Sequence, residues 1–169
     1  MKTKRLTSMA LLCGIALILH VIEAQIPPVI PIPGVRLGIS NIVTVFAVFA
    51  MGRREGAMIL FARILLGCIF AGRFSSILYA GAGGLLAIGM TALCKCFLTR
   101  KQLWVAGVLG AIAHSIGQLI AAAWITGTLS VWIYLPILLV CSILTGLCTG
   151  TIAGLLLNRG DRVWKTFLP

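Results

Sequence analysis

Apolar residues run almost unbroken through six stretches of the chain, and charged residues collect in the short gaps between them. A bilayer core is crossed by about 20 helical residues. Residues 6–24, 37–51, 55–72, 74–98, 103–126 and 131–157 therefore predict six membrane-spanning helices, with the second one short. Between the first two lies Ile26-Pro-Pro-Val-Ile-Pro-Ile-Pro-Gly34, which holds Pro27, Pro28, Pro31 and Pro33. Such a run cannot continue a helix and favours extended geometry. Its apolar character predicts a loop that folds back over the membrane-embedded body.

Composition supports one membrane domain spanning residues 1–169: 60% of residues are hydrophobic, 10% are charged, and the mean hydropathy is +1.13. Soluble domains carry about a quarter charged residues. The basic N-terminus before an apolar run mimics a secretory signal, with Ile22-Glu23-Ala24 as a weak cleavage site. The length of that run and the spans behind it predict an uncleaved first helix.

The formal charge of +11 raises nucleic acid as a partner, but the basic residues are divided among the gaps rather than gathered in a patch. With the N-terminus inside, Lys2, Lys4, Arg5, Arg53, Arg54, Lys95, Arg100, Lys101, Arg159, Arg162 and Lys165 all fall on the cytoplasmic side. Only Arg36 and Arg73 fall outside, and Arg63 lies within a span. That asymmetry places both termini in the cytoplasm of a bacterial inner membrane and makes nucleic acid an unnecessary partner.

Helix contacts are legible in the small residues. Gly146, Gly150 and Gly154 recur every four positions, a spacing that lets helices approach closely within the protein. Ala10 and Gly14 form a shorter pair, open to packing inside the bundle or against another protein. Ala80-Gly-Ala-Gly-Gly84 is expected to break up the fourth helix.

Polar residues inside spans are costly, so their positions carry information. Arg63 needs a partner or water, whether it caps backbone carbonyls or serves a function. His114 and Gln118 stand four apart on one helical face, continued by Gly107, Ala111 and Ala121. They are read as substrate contacts or as packing. His20 and Glu23, then Asn41, then Ser75, Ser76 and Tyr79, and finally Trp124, Trp132 and Tyr134 all gather toward the outer half. An interfacial aromatic belt accounts for the tryptophans; a pocket open to the outside under the Pro-rich loop accounts for the wider pattern. The expected contacts are Arg36, Asn41, Tyr79, His114, Gln118 and Trp132.

Catalytic chemistry finds little to stand on. Glu23, Glu55 and Asp161 are the only acids, and Glu55 is read as paired with the adjacent Arg53 and Arg54. No carboxylate pair, magnesium-binding cluster or phosphate loop is legible. Cys94 and Cys96 are read as packing residues rather than metal ligands. No cofactor, no metal and no enzymatic activity of its own are expected.

The stretch Pro31-Ile-Pro-Gly-Val-Arg-Leu-Gly-Ile-Ser-Asn41, then Gly52-Arg-Arg-Glu-Gly56 and Arg63-Ile-Leu-Leu-Gly67, resembles the family of Gx transporters, also labelled heptaprenyl diphosphate synthase component I. Size, six spans and inside termini also resemble the S components of energy-coupling-factor (ECF) transporters. That resemblance implies an all-helical six-span bundle that captures a vitamin-like or isoprenoid- or quinone-related solute at the outer face. It implies a lid in the loop leading to Asn41, and ATP-driven uptake through a transmembrane coupling protein with two ATPases. Ala10 and Gly14 would dock on that partner, Gly14 standing where an alanine is typical. The synthase label instead implies a non-catalytic membrane accessory in prenyl diphosphate or quinone biosynthesis or membrane electron transfer.

Overall fold

A computed structural model describes residues 2–25, 38–71 and 76–160. The described elements are all helical: α1 (Lys2–Gln25), α2 (Asn41–Ala50), α3 (Arg53–Ala71), α4 (Ser76–Phe97), α5 (Leu103–Thr126) and α6 (Leu135–Arg159). Two 3-10 segments, Arg100–Gln102 and Leu129–Tyr134, lead into α5 and α6.

Four of these are long and apolar enough to cross a membrane, namely α1, α4, α5 and α6, the last two together with their 3-10 segments. The other two differ for separate reasons. At 1.5 Å per residue, the ten-residue α2 is about 15 Å long, half the thickness of a hydrocarbon core. Helix α3 has the length, but Arg53, Arg54, Glu55 and Arg63 dilute its hydropathy.

α2 is short because its start is postponed. Gly38 sits at a φ of +81°, its carbonyl accepts the Asn41 amide at 2.9 Å, and the helix opens at Asn41 rather than at Leu37. It is then buried almost all round, through Val43, Val45, Phe46, Ala47 and Val48, and packs on every other helix of the bundle. A helix apolar on every side belongs inside a protein core. α1 covers α2 and α3 with Leu12 and Ala16, while its Leu6, Leu11, Ile18 and Ile22 face outward, as lipid-facing residues would.

α5 makes the most extensive contacts, with α4 on one side and α6 on the other. Against α6 the two backbones nearly touch. A Cβ added at Gly107 would lie 2.6 Å from Gly150 Cα, and one at Gly150 would lie 2.5 Å from the Leu103 carbonyl oxygen. Gly154 is looser, with Leu103 Cβ at 3.6 Å from its added Cβ. Gly107, two turns before His114 on the same face, therefore belongs to the α6 contact. The buried Ser115 and Ser142 hydroxyls tie the same two helices at 2.6 Å.

The glycine-rich stretch in α4 does not break it. Ser76–Phe97 runs as one helix, and Gly83 is where α4 admits α5: a Cβ added at Gly117 would lie 2.8 Å from Gly83 Cα. Loss of side chains here narrows the interhelical distance rather than ending the helix.

At the end where α1 begins, Arg5 pairs with Glu55, fifty positions away, so Glu55 serves a tertiary contact rather than its sequence neighbours. The Lys95 ammonium donates to the Val48 carbonyl at 2.6 Å nearby, capping the C-terminal part of α2. The basic residues of the α2–α3 and α4–α5 junctions share this end with Arg5.

A buried polar cluster between α1, α3 and α5

Toward the opposite end, the helices bring together a group of buried polar side chains. Glu23, from the last turn of α1, is 4% exposed and accepts three hydrogen bonds from the turn that precedes α2. The Gly38 amide donates to Oε1, while the Ser40 amide and hydroxyl donate to Oε2 at 3.4 and 3.2 Å. A carboxylate thereby takes over backbone donors that no helix satisfies.

Arg63, in the middle of α3 and also 4% exposed, reaches the same turn from the other side. Its guanidinium donates to the Ser40 hydroxyl and, at 3.2 Å, to Asn41 Oδ1. Among the described residues Arg63 and Glu23 form no direct ion pair; the Ser40 hydroxyl stands between them. Two opposite charges linked by one hydroxyl keep the cluster neutral inside a low-dielectric body.

His114 and Gln118 of α5 close the cluster, both buried. They lie over the bare backbone of Gly83, where an added Cβ would meet His114 Nδ1 at 2.8 Å and Gln118 Cγ at 2.9 Å. On the α1 side, His20 lies similarly over Gly67 of α3, whose added Cβ would lie 2.8 Å from His20 Cδ2. The glycines leave room for imidazoles that larger residues would displace.

These side chains, with Ile64, Cys68, Ser76 and Ala80, line a cavity of about 30 Å³, room for about two water-sized groups. Arg63 Nε and His114 Nδ1 reach no hydrogen-bond partner among the described residues.

Of the expected contacts, Asn41, His114 and Gln118 meet at this cavity. Tyr79 is buried but does not line the cavity; it lies in an apolar cluster with Leu119, Ala122 and Val131. Trp132 lies exposed on the 3-10 segment before α6. Arg36 and the Pro-rich stretch 26–34 lie outside the described residues. Ala10 is exposed, and a Cβ added at Gly14 meets nothing within 4 Å among the described residues, so neither is closed off by another described helix.

Ser40 and Gly67 join the cavity without having been expected there, while His20 and Glu23 had been read only as part of the wider polar pattern of the outer half and not as contacts. For Glu23 a signal existed: a buried acid in a chain with three acids needs a cation, and Arg63 was the intramembrane one. Ser40 carried no such signal, since a hydroxyl before a helix reads as a cap. Its side chain caps nothing and bridges the charges instead.

Comparison with known proteins places this arrangement in context. No curated protein sequence matches the chain. Its structure is similar to a solved S component of a bacterial ECF transporter, with a TM-score of 0.60 and 22% sequence identity. The match covers 99% of this chain and 98% of that one, so the bundle has an S-component fold from end to end. Residues 12–156 match the model of the family described as heptaprenyl diphosphate synthase component I, and to that family the chain belongs.

Proposed function

We propose that this protein is the substrate-capturing membrane component of an ECF-type transporter, taking up a small vitamin-like or isoprenoid- or quinone-related solute. The observation that carries this reading is the polar cavity of Glu23, Arg63, Asn41, His114 and Gln118, buried in a bundle with an S-component fold. A concave pocket with a few fixed polar groups between helices is a common form of small-molecule site. All six helices belong to the membrane body, with both termini in the bacterial cytoplasm, as the basic residues at the Arg5 end support. The cavity then lies in the outer half.

Uptake would be driven by a separate transmembrane coupling protein with two ATPases. The unpacked Ala10 and Gly14 on α1 are the docking pair in this reading, because small residues allow a partner helix to approach closely. Affinity purification from native membranes in mild detergent tests it: the coupling protein and both ATPases should be recovered with the tagged chain. Recovery of a prenyl synthase or redox proteins without ATPases would replace uptake by the accessory role that the family's description favours.

Within the site, Gln118→Ala is expected to leave folding and expression intact. It should lower the amount of small molecule retained through purification by roughly tenfold, the worth of one buried hydrogen bond of about 1.4 kcal/mol. Equal retention, read by mass spectrometry of the denatured sample, would remove Gln118 from the site.

A further inference from the structure

The geometry points to a compound bearing a single carboxylate as the occupant of this cavity, held through Arg63. The inference rests on the capture reading above and specifies its substrate class.

Arg63 presents five N–H donors. The described contacts are with neutral oxygens, those of Ser40 and Asn41, and Nε–H reaches no partner among the described residues. The one carboxylate in the cluster, Glu23, is turned to the Gly38 and Ser40 donors and is held away from the guanidinium by the Ser40 hydroxyl. A buried guanidinium with an unfilled donor and no direct anionic partner is matched by a planar anion, whose two oxygens accept in parallel. The cavity beside it has space for about two water-sized groups, the size of a carboxylate's oxygen pair. The same lining includes the apolar Ile64, Cys68 and Ala80, which suit the carbon that carries the acid.

Charge separates this occupant from a diphosphate. The described cavity holds one guanidinium, already partly balanced by Glu23, and no group of three or more His, Cys, Asp or Glu residues able to hold a metal ion among the described residues. A diphosphate would bring several negative charges against a single guanidinium that Glu23 already offsets, where a carboxylate brings one. Amides and alcohols would leave the guanidinium without a charged acceptor.

The test uses the full-length protein in lipid nanodiscs with acetate, benzoate and octanoate, each beside its primary amide, and with inorganic diphosphate. Saturable elevation of the unfolding midpoint is measured at constant ionic strength. At least one acid should raise the midpoint saturably and bind at least tenfold more tightly than its amide, and diphosphate should give no saturable response. Arg63→Lys, which keeps the charge but loses the planar fork, should weaken the acid at least tenfold. The acid–amide comparison is made on the unaltered chain, so it decides the matter even where Arg63→Lys does not fold. Equal response to acids and amides, tighter binding of diphosphate, or no response to any acid because the cavity takes water alone would each overturn the assignment. The pull-down reads separately: a coupling module recovered by a protein indifferent to acids removes the carboxylate and leaves the transporter. Acid binding without that module does the reverse.

Discussion

Glu23→Gln is expected to destabilise the protein by about 3 kcal/mol, the lower end of the range for removing one partner of a buried pair. The lower end applies because Ser40 separates Glu23 from Arg63, so the lost interaction is relayed rather than direct. Glutamine retains one acceptor oxygen for the Gly38 or Ser40 amide, but it leaves the buried guanidinium without a compensating charge. Thermal unfolding in mild detergent, followed by tryptophan fluorescence, reads the effect. Combining Glu23→Gln with Arg63→Met should recover much of the loss, since the uncompensated cation is then gone. Two single losses that simply add in the double variant would show that the residues act independently. The same cluster fastens the end of α1 to the start of α2 and the middle of α3, so its failure should loosen the cavity first.

Gly107→Val carries the other large effect, a loss of about 3 kcal/mol or more. Overpacking commonly costs about 1–3 kcal/mol when side chains can shift. Here a Cβ at Gly107 would meet the backbone of Gly146 and Gly150, and backbone cannot rotate away. α5 and α6 would have to separate, which would also strain the Ser115–Ser142 bond. Gly14→Ala is the matched control, because nothing lies within 4 Å of its added Cβ; its unfolding midpoint should stay near that of the unaltered chain. Similar losses at both glycines would mean that general helix distortion, rather than the close α5–α6 approach, sets the cost.

Periodicity and charge made much of this protein legible. Apolar run length located all six helices, and for α5 the expected bounds coincide with Leu103–Thr126. The four-residue spacing of Gly146 and Gly150 disclosed a close helix contact, because in a membrane small residues are what permit one. His114 and Gln118 were found together because one turn of helix guarantees a shared face. These features are local: each depends on residues a few positions apart.

Where local reading went astray, a long-range contact decided. Glu55 has basic neighbours on the chain, yet it pairs with Arg5 because α1 brings that guanidinium to the start of α3. Gly83 looked like part of a helix break, but a glycine costs a helix only about 1 kcal/mol, and packing against α5 holds α4 continuous.

The sequence by itself determined that this is a helical membrane protein, where its helices lie, and which end is basic, since the solvent cost of burying charge acts at every position regardless of fold. Only the tertiary structure decided that α2 is an interior helix, that Gly107 faces α6, and that Glu23, Ser40, Asn41 and Arg63 form one cluster. Those outcomes depend on which surfaces meet. Ser40 is 17 positions from Glu23 and 23 from Arg63, and no spacing along the chain records that a hydroxyl will settle between a carboxylate and a guanidinium.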